Sequence, residues 1–130
     1  MQKLTILVLL VVSISVTTAA FAWAGTDYDT GYSVTPGQIA HVPLPVSANY
    51  RRQVKNAKGK SIEHIYRVCN GKNKKTCGFW ENVDTKKKVA SGVTTYNKKD
   101  KQLVIKKVRS SDAGIYMTGN KKSEFELFVY

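Results

Sequence analysis

Carboxylates are scarce in this 130-residue chain: nine Asp and Glu stand against 21 Lys and Arg, for a formal net charge of +12. A field of that sign favours anionic partners, among them sulfated glycans, anionic membranes, nucleic acid and acidic proteins, and says nothing about fold. Catalytic signatures are missing as well. There is no Gly-x-Ser-x-Gly elbow, no His-Glu-x-x-His pair and no phosphate-cradling glycine loop. Glu63 and His64 are neighbours in an extended stretch, so their side chains leave opposite faces. Asp27 and Asp29 fall in a polar segment without period. The chain therefore reads as a non-enzyme with no catalytic residue. Two cysteines and two histidines are present; a zinc site would have to recruit His41 and His64 to Cys69 and Cys77, and no metal or other cofactor is expected. No Asn-x-Ser/Thr sequon occurs, so N-glycosylation is not expected. No amphipathic helix of useful length and no repeat follow the N-terminal segment.

That N-terminal segment holds the one long apolar run. Lys3 precedes Leu4 through Val16, followed by small residues with Ala20-Phe21-Ala22 and Ala22-Trp23-Ala24. A basic start, a greasy middle and a small-x-small site describe a secretory signal peptide over residues 1–24. A retained signal anchor is the alternative, since the low-charge run reaches Ala24 and is just long enough to span a bilayer. Cleavage after Ala24 leaves residues 25–130, enough for one domain, and removes Lys3 alone among the charged residues. With no second apolar run, the product is expected to be freely secreted, extracellular and without a transmembrane anchor. In an exported chain the two cysteines most simply pair with each other. Cys69 and Cys77 enclose the short loop CNGKNKKTC, and so small a ring contributes on the order of 2–3 kcal/mol in the chain-entropy account.

The rest alternates as strands do. Residues 25–33 are a polar and aromatic lead-in. Ala40, Val42 and Leu44 point one way, with Pro43 and Pro45 between them. Two prolines cost ladder hydrogen bonds, so this strand is expected to be short, bulged or displaced. Ser47–Lys60 reads as a long basic connection. Ser61–Cys69 places Ile62, His64, Tyr66 and Val68 on one face; a one-residue slip puts Ile65 there instead. Thr76–Asn82 is the next strand, with Trp80 on the face of Tyr66. Val83–Ser91 crosses over through Lys86, Lys87 and Lys88 to a strand over Gly92–Tyr96. Leu103, Ile105 and Val108 form an apolar face ahead of Ser110, Ser111 and Asp112, which are turn formers. Gly114 relaxes the backbone, Tyr116 opens a strand to Thr118, and Phe125, Leu127 and Val129 alternate inward along Ser123–Tyr130.

Asp112-x-Gly114-x-Tyr116 after Leu103-x-Ile105 resembles the E–F corner of an immunoglobulin domain. The resemblance implies an all-β chain: an immunoglobulin-like antiparallel β-sandwich of two sheets over residues 34–130, of variable or intermediate type. By it, the Tyr116 hydroxyl bonds back to backbone a few residues upstream, while Asp112 and Gly114 shape the turn. Ala40–Leu44 becomes strand B, Ser61–Cys69 strand C, Thr76–Asn82 strand C′ and Gly92–Tyr96 strand D, followed by E, F and G. Tyr66 then takes the place usually given to a buried Trp. The chain departs from the family where the intersheet disulfide belongs, because those positions are Leu44 and Thr118. Its cysteines form a different bridge, within one sheet's hairpin. Loss of the long-loop crosslink costs about 2–5 kcal/mol unless packing compensates.

Two surfaces follow from this register. With Tyr116 and Thr118 inward, Ile115 and Met117 face outward, as do Phe128 and Tyr130 on G, Ile65 on C and Phe79 on C′. These six make the GFCC′ face the expected binding surface for an extracellular protein or a second copy of the chain. A lead-in that folds Tyr28 and Tyr32 across it would hide it. The B–C, D–E and F–G connections gather at one end in the family, which implies an anionic-ligand patch of Arg51, Arg52, Lys55, Lys58, Lys60, Lys98, Lys99, Lys101, Lys121 and Lys122. The alternative function is accordingly a cationic effector or matrix component that binds anionic glycans or membranes. Lysine without much arginine favours diffuse attraction over bidentate recognition. Nucleic acid is not expected, because aromatics are not interleaved with these lysines.

Overall fold

Period-two burial runs through most strands of the computed structural model of the protein, which describes residues 31–130. The expected signal peptide and lead-in residues 25–30, with Tyr28, lie outside the described residues. In chain order the strands are β1 (Gly31–Val34), β2 (Ala40–Pro43), β3 (Asn49–Lys55), β4 (Ser61–Arg67), β5 (Trp80–Asn82), β6 (Val93–Asn97), β7 (Gln102–Lys106), β8 (Gly114–Thr118) and β9 (Phe125–Val129). A single 3-10 turn, Ser110–Asp112, is the helical element among the described residues. The fold is all-β with two sheets. One has six strands in the order β1-β9-β8-β3-β4-β5, and the other three in the order β2-β7-β6. All pairings are antiparallel except β1 on β9.

One core is shared by both sheets. Ala40, Val42, Leu103 and Ile105 from the small sheet cluster with Tyr50, Tyr66, Trp80, Tyr116 and Leu127 from the large one. The proline-bearing strand is short, as expected: β2 stops at Pro43, which faces solvent on an edge strand, where a missing N–H breaks no ladder. Two stacked tyrosines fill the core beyond it. Tyr50 and Tyr96 lie with ring centroids 5.0 Å apart, and their hydroxyls donate to the carbonyls of Pro45 and Leu44. Burial raises the Tyr50 phenol pKa, and the neighbouring Tyr96 adds to it.

Three expectations need correction. Residues 31–33, assigned to the lead-in, belong to β1, and Tyr32 packs edge-on against Phe125 at 5.7 Å, joining the core instead of crossing the outer face. Residues 47–60 are not one long connection, because they contain β3, which pairs with both β4 and β8. Ser61–Cys69 is therefore one strand further from β8 than expected, and Tyr66 does not lie beside the corner strand. Residues 76–79 lie outside the short β5, which is limited to Trp80–Asn82.

Register also fixes the two ends of the sheets. Asn49, Arg67 and Thr118 lie at one end, where Gly119 N–H donates to Asn49 O and Leu44 N–H to Lys101 O. We call this the loop end. The β3–β4 turn, the 3-10 turn and Gly114 lie at the other, the corner end.

Candidate functional site

Asp112 is the hub of the interior. It is fully buried and its carboxylate meets Arg52, 1 % exposed, with Arg52 Nη1 2.8 Å from Asp112 Oδ1. A buried ion pair holds only where the remaining polar atoms are satisfied, and here they are. Ser91 Oγ donates to Oδ1 at 2.6 Å, and the backbone N–H groups of Gly92 and Arg109 donate to Oδ2 at 3.0 and 2.8 Å. Burial alone would raise the Asp112 pKa; the Arg52 charge and these three donors outweigh it and hold the carboxyl below its usual value. The Tyr116 hydroxyl donates to Asp112 O at 2.5 Å, the bond expected of the corner tyrosine, and accepts from Arg52 Nη1 at 2.9 Å. Its burial pushes the phenol up to about 12.

The guanidinium is also covered from above. Its carbon lies 4.3 Å from the centroid of the Trp80 ring, a cation–π contact, and Trp80 Nε1 donates to Thr94 Oγ1. Arg52 Nε donates to His64 Nδ1 at 3.1 Å. Desolvation first, and then the Arg52 charge, lower the His64 pKa to about 4, so its imidazole is neutral at physiological pH. Arg52, Asp112 and Tyr116 are closed off from solvent, and their mutual bonds tie β3, β8 and the 3-10 turn together as a structural lock. Gly114 serves it differently from the expected relaxation of the backbone: a Cβ there would sit 2.2 Å from Gln53 O. The residue is glycine because β8 and β3 approach too closely for any side chain.

The outer face of the six-stranded sheet is another environment. Register places Met117, Arg51, Ile65 and Glu81 side by side across β8, β3, β4 and β5. Arg51 pairs with Glu63 and donates from Nε to Gly119 O; Lys121 lies 3.5 Å from the same Glu63, and Arg67 bonds Glu81 at 3.0 Å. The stems of these long side chains shelter Ile65 and Met117, which are 8 % and 3 % exposed although they point outward. Phe79 is half-buried, with Lys88 Nζ over its ring at 5.5 Å. What stays open lies at the β8–β9 side. Phe128 (39 % exposed) and Tyr130 (77 %) stack in parallel with centroids 6.2 Å apart. Beside Tyr130, Phe128 and half-buried Ile115 line a recess of about 420 Å³ with Gln53, Ser110 and Glu126. Ile65, Ile115, Met117, Phe128 and Tyr130 thus share one sheet side, divided by ion pairs, whereas Phe79 lies outside β5 in a recess with Val93 and Thr94 of β6.

The ten basic residues do not converge. Arg52 is in the core and Arg51 on the outer face. Lys55, Lys58 and Lys60 belong to the β3–β4 turn at the corner end, whereas Lys98, Lys99, Lys101, Lys121 and Lys122 occupy the loop end. The error follows from placing strand C one strand too late. The Cys69–Cys77 disulfide is present, and its loop carries Lys72, Lys74 and Lys75 to the loop end; their place there was not anticipated. Among the described residues, no group of three or more His, Cys, Asp or Glu is arranged to hold a metal ion. No protein-family model, curated protein or solved structure matches the chain.

Proposed function

We propose that the chain is a secreted, immunoglobulin-like β-sandwich of variable type that works as a binding module, docking an extracellular protein on the outer face of its six-stranded sheet. Two features support the fold assignment. The strand order β9-β8-β3-β4-β5 opposite β2-β7-β6 corresponds to GFCC′C″ opposite BED, and a corner tyrosine bonds back to Asp112. Secretion rests on the residue pattern of positions 1–24.

The observation that carries the docking reading is the exposed Phe128–Tyr130 stack beside the Ile115 recess. Solvent-facing aromatics next to a recess, rimmed by satisfied ion pairs, have the composition of an interface centre with its polar rim. The contact is thereby moved from Met117 and Ile65 toward Ile115 and β9. A photo-crosslinking amino acid at position 128, with one at Val93 (63 % exposed, on the other sheet) as control, tests it on the secreted protein in its native extracellular medium. A discrete adduct from position 128 that disappears on Ile115→Asp is expected, whether its mass is that of a second copy or of another protein. Equal or absent labelling from both positions overturns the reading.

A further inference from the structure

Four connections meet at the loop end: residues 44–48, 68–79, 98–101 and 119–124. They carry Lys72, Lys74, Lys75, Lys98, Lys99, Lys101, Lys121 and Lys122, all exposed, against the carboxylates of Asp100 and Glu124. The surface between them is not flat. A recess of about 730 Å³ lies between Lys98, Val46 and the start of the cysteine loop. It shares Val46 and Ser47 with a smaller recess that ends at Lys122, and Asn73 with one under Lys74 and Lys75. The three run together as a trough across the end, with lysines on both banks.

One bank is held rigidly. The Cys69–Cys77 bond closes the loop, Asn70 Oδ1 accepts from the backbone N–H groups of Lys72 and Asn73, and Asn73 Nδ2 donates to Val68 O. Three lysine stems therefore leave a backbone whose ordering cost was met on folding. From this juxtaposition we infer that the loop end is a binding site for a linear sulfated polysaccharide, with the cysteine loop as its fixed bank. Lysines are compact point charges that suit spaced sulfates, and Arg67, the arginine in the trough, is bonded to Glu81. The exposed aromatic side chains Phe128 and Tyr130 lie on and just past β9 toward the corner end, and Phe79 is half-buried beneath Lys88, so among the described residues this end has no fully exposed ring to enter a bilayer or stack on a base. Ser47, Asn49, Asn70 and Asn73 make the lining of the larger recess polar, in keeping with a carbohydrate. The site is separate from the Phe128 surface and stands or falls without it.

The test uses the secreted protein and heparin as probe, with affinity measured against salt. Lys72→Gln/Lys74→Gln/Lys75→Gln is compared with Lys55→Gln/Lys58→Gln/Lys60→Gln, which removes the same charge from exposed residues of the β3–β4 turn at the corner end. The first variant is expected to lose on the order of tenfold in affinity, with a shallower salt dependence, as fewer counterions are released. The second is expected to change by about twofold or less, because it lies beyond a Debye length of the trough. Equal losses would assign binding to net charge alone and overturn the site, as would no loss in the first variant. Vesicles containing phosphatidylserine form the other arm: binding to them that heparin fails to displace would assign the lysines to lipid and also overturn the inference.

Discussion

Arg51 and Arg52 are neighbours on one strand and live in opposite media. Arg52 points between the sheets, where Asp112, Tyr116 and His64 bond it and Trp80 covers it. Arg51 points out, half-exposed, and shares Glu63 with Lys121. The same chemical pair, guanidinium and carboxylate, is a lock in one place and a lid in the other. In the interior neither partner can turn to water, so removing one strands the other. On the outside water replaces whatever is lost, and the ion pairs act mainly through the apolar area that their stems shelter.

The largest effect should come from the inner side. Asp112→Ala leaves the Arg52 charge and the N–H groups of Gly92 and Arg109 without their acceptor, and is expected to cost about 3–5 kcal/mol in urea unfolding. A loss below about 1 kcal/mol would break the contrast. Acid probes the same cluster without mutation. His64 has a folded pKa near 4, below its unfolded 6.5, so its contribution is complete above pH 6.5 and is lost as pH falls toward 4. That amounts to on the order of 3 kcal/mol. Asp112, also lowered, adds its own loss as pH falls through and below the ordinary carboxylate range. Unfolding free energy measured from pH 8 to pH 4 should show the His64 decline, and His64→Gln should flatten it.

Gly114→Ala tests the approach of β8 to β3 that the lock depends on. Overpacking against Gln53 O should cost about 1–3 kcal/mol, read as a shift in thermal midpoint. The smallest effect belongs to the outer side: Glu63→Ala should cost about 1 kcal/mol or less at low salt, and still less in 0.5 M salt.

The parts of this arrangement that could be read from the residues are those with apolar alternation. Leu103 and Ile105, Phe125 and Leu127, and the Asp112–Tyr116 corner lie where the pattern puts them, because burial of alternate side chains is a local property. Strand β3 escaped the same reasoning. Its inward row is Tyr50, Arg52 and Val54, and a charged residue in the middle makes a buried strand look like a basic loop. The partner that makes Arg52 tolerable inside is 60 residues away in sequence. A signal existed nonetheless: an acidic corner residue in a buried turn calls for a cation, and Tyr-x-Arg-x-Val has the right parity to supply one. The misplaced strand then carried Lys55, Lys58 and Lys60 to the wrong end and hid where the cysteine loop lies. The ion-paired cover over Met117 was illegible for a related reason, since it depends on which strands are neighbours.

Arginine-selective labelling of the folded protein with phenylglyoxal, read residue by residue by mass spectrometry, tests the two-faced strand most directly. The expected result is modification at Arg51, whose side chain is 27 % exposed, and protection of Arg52, at 1 %, until denaturant unfolds the chain. Labelling of both arginines at equal rates under native conditions would contradict the register of β3, and with it the division between a locked interior and an ion-paired outer face.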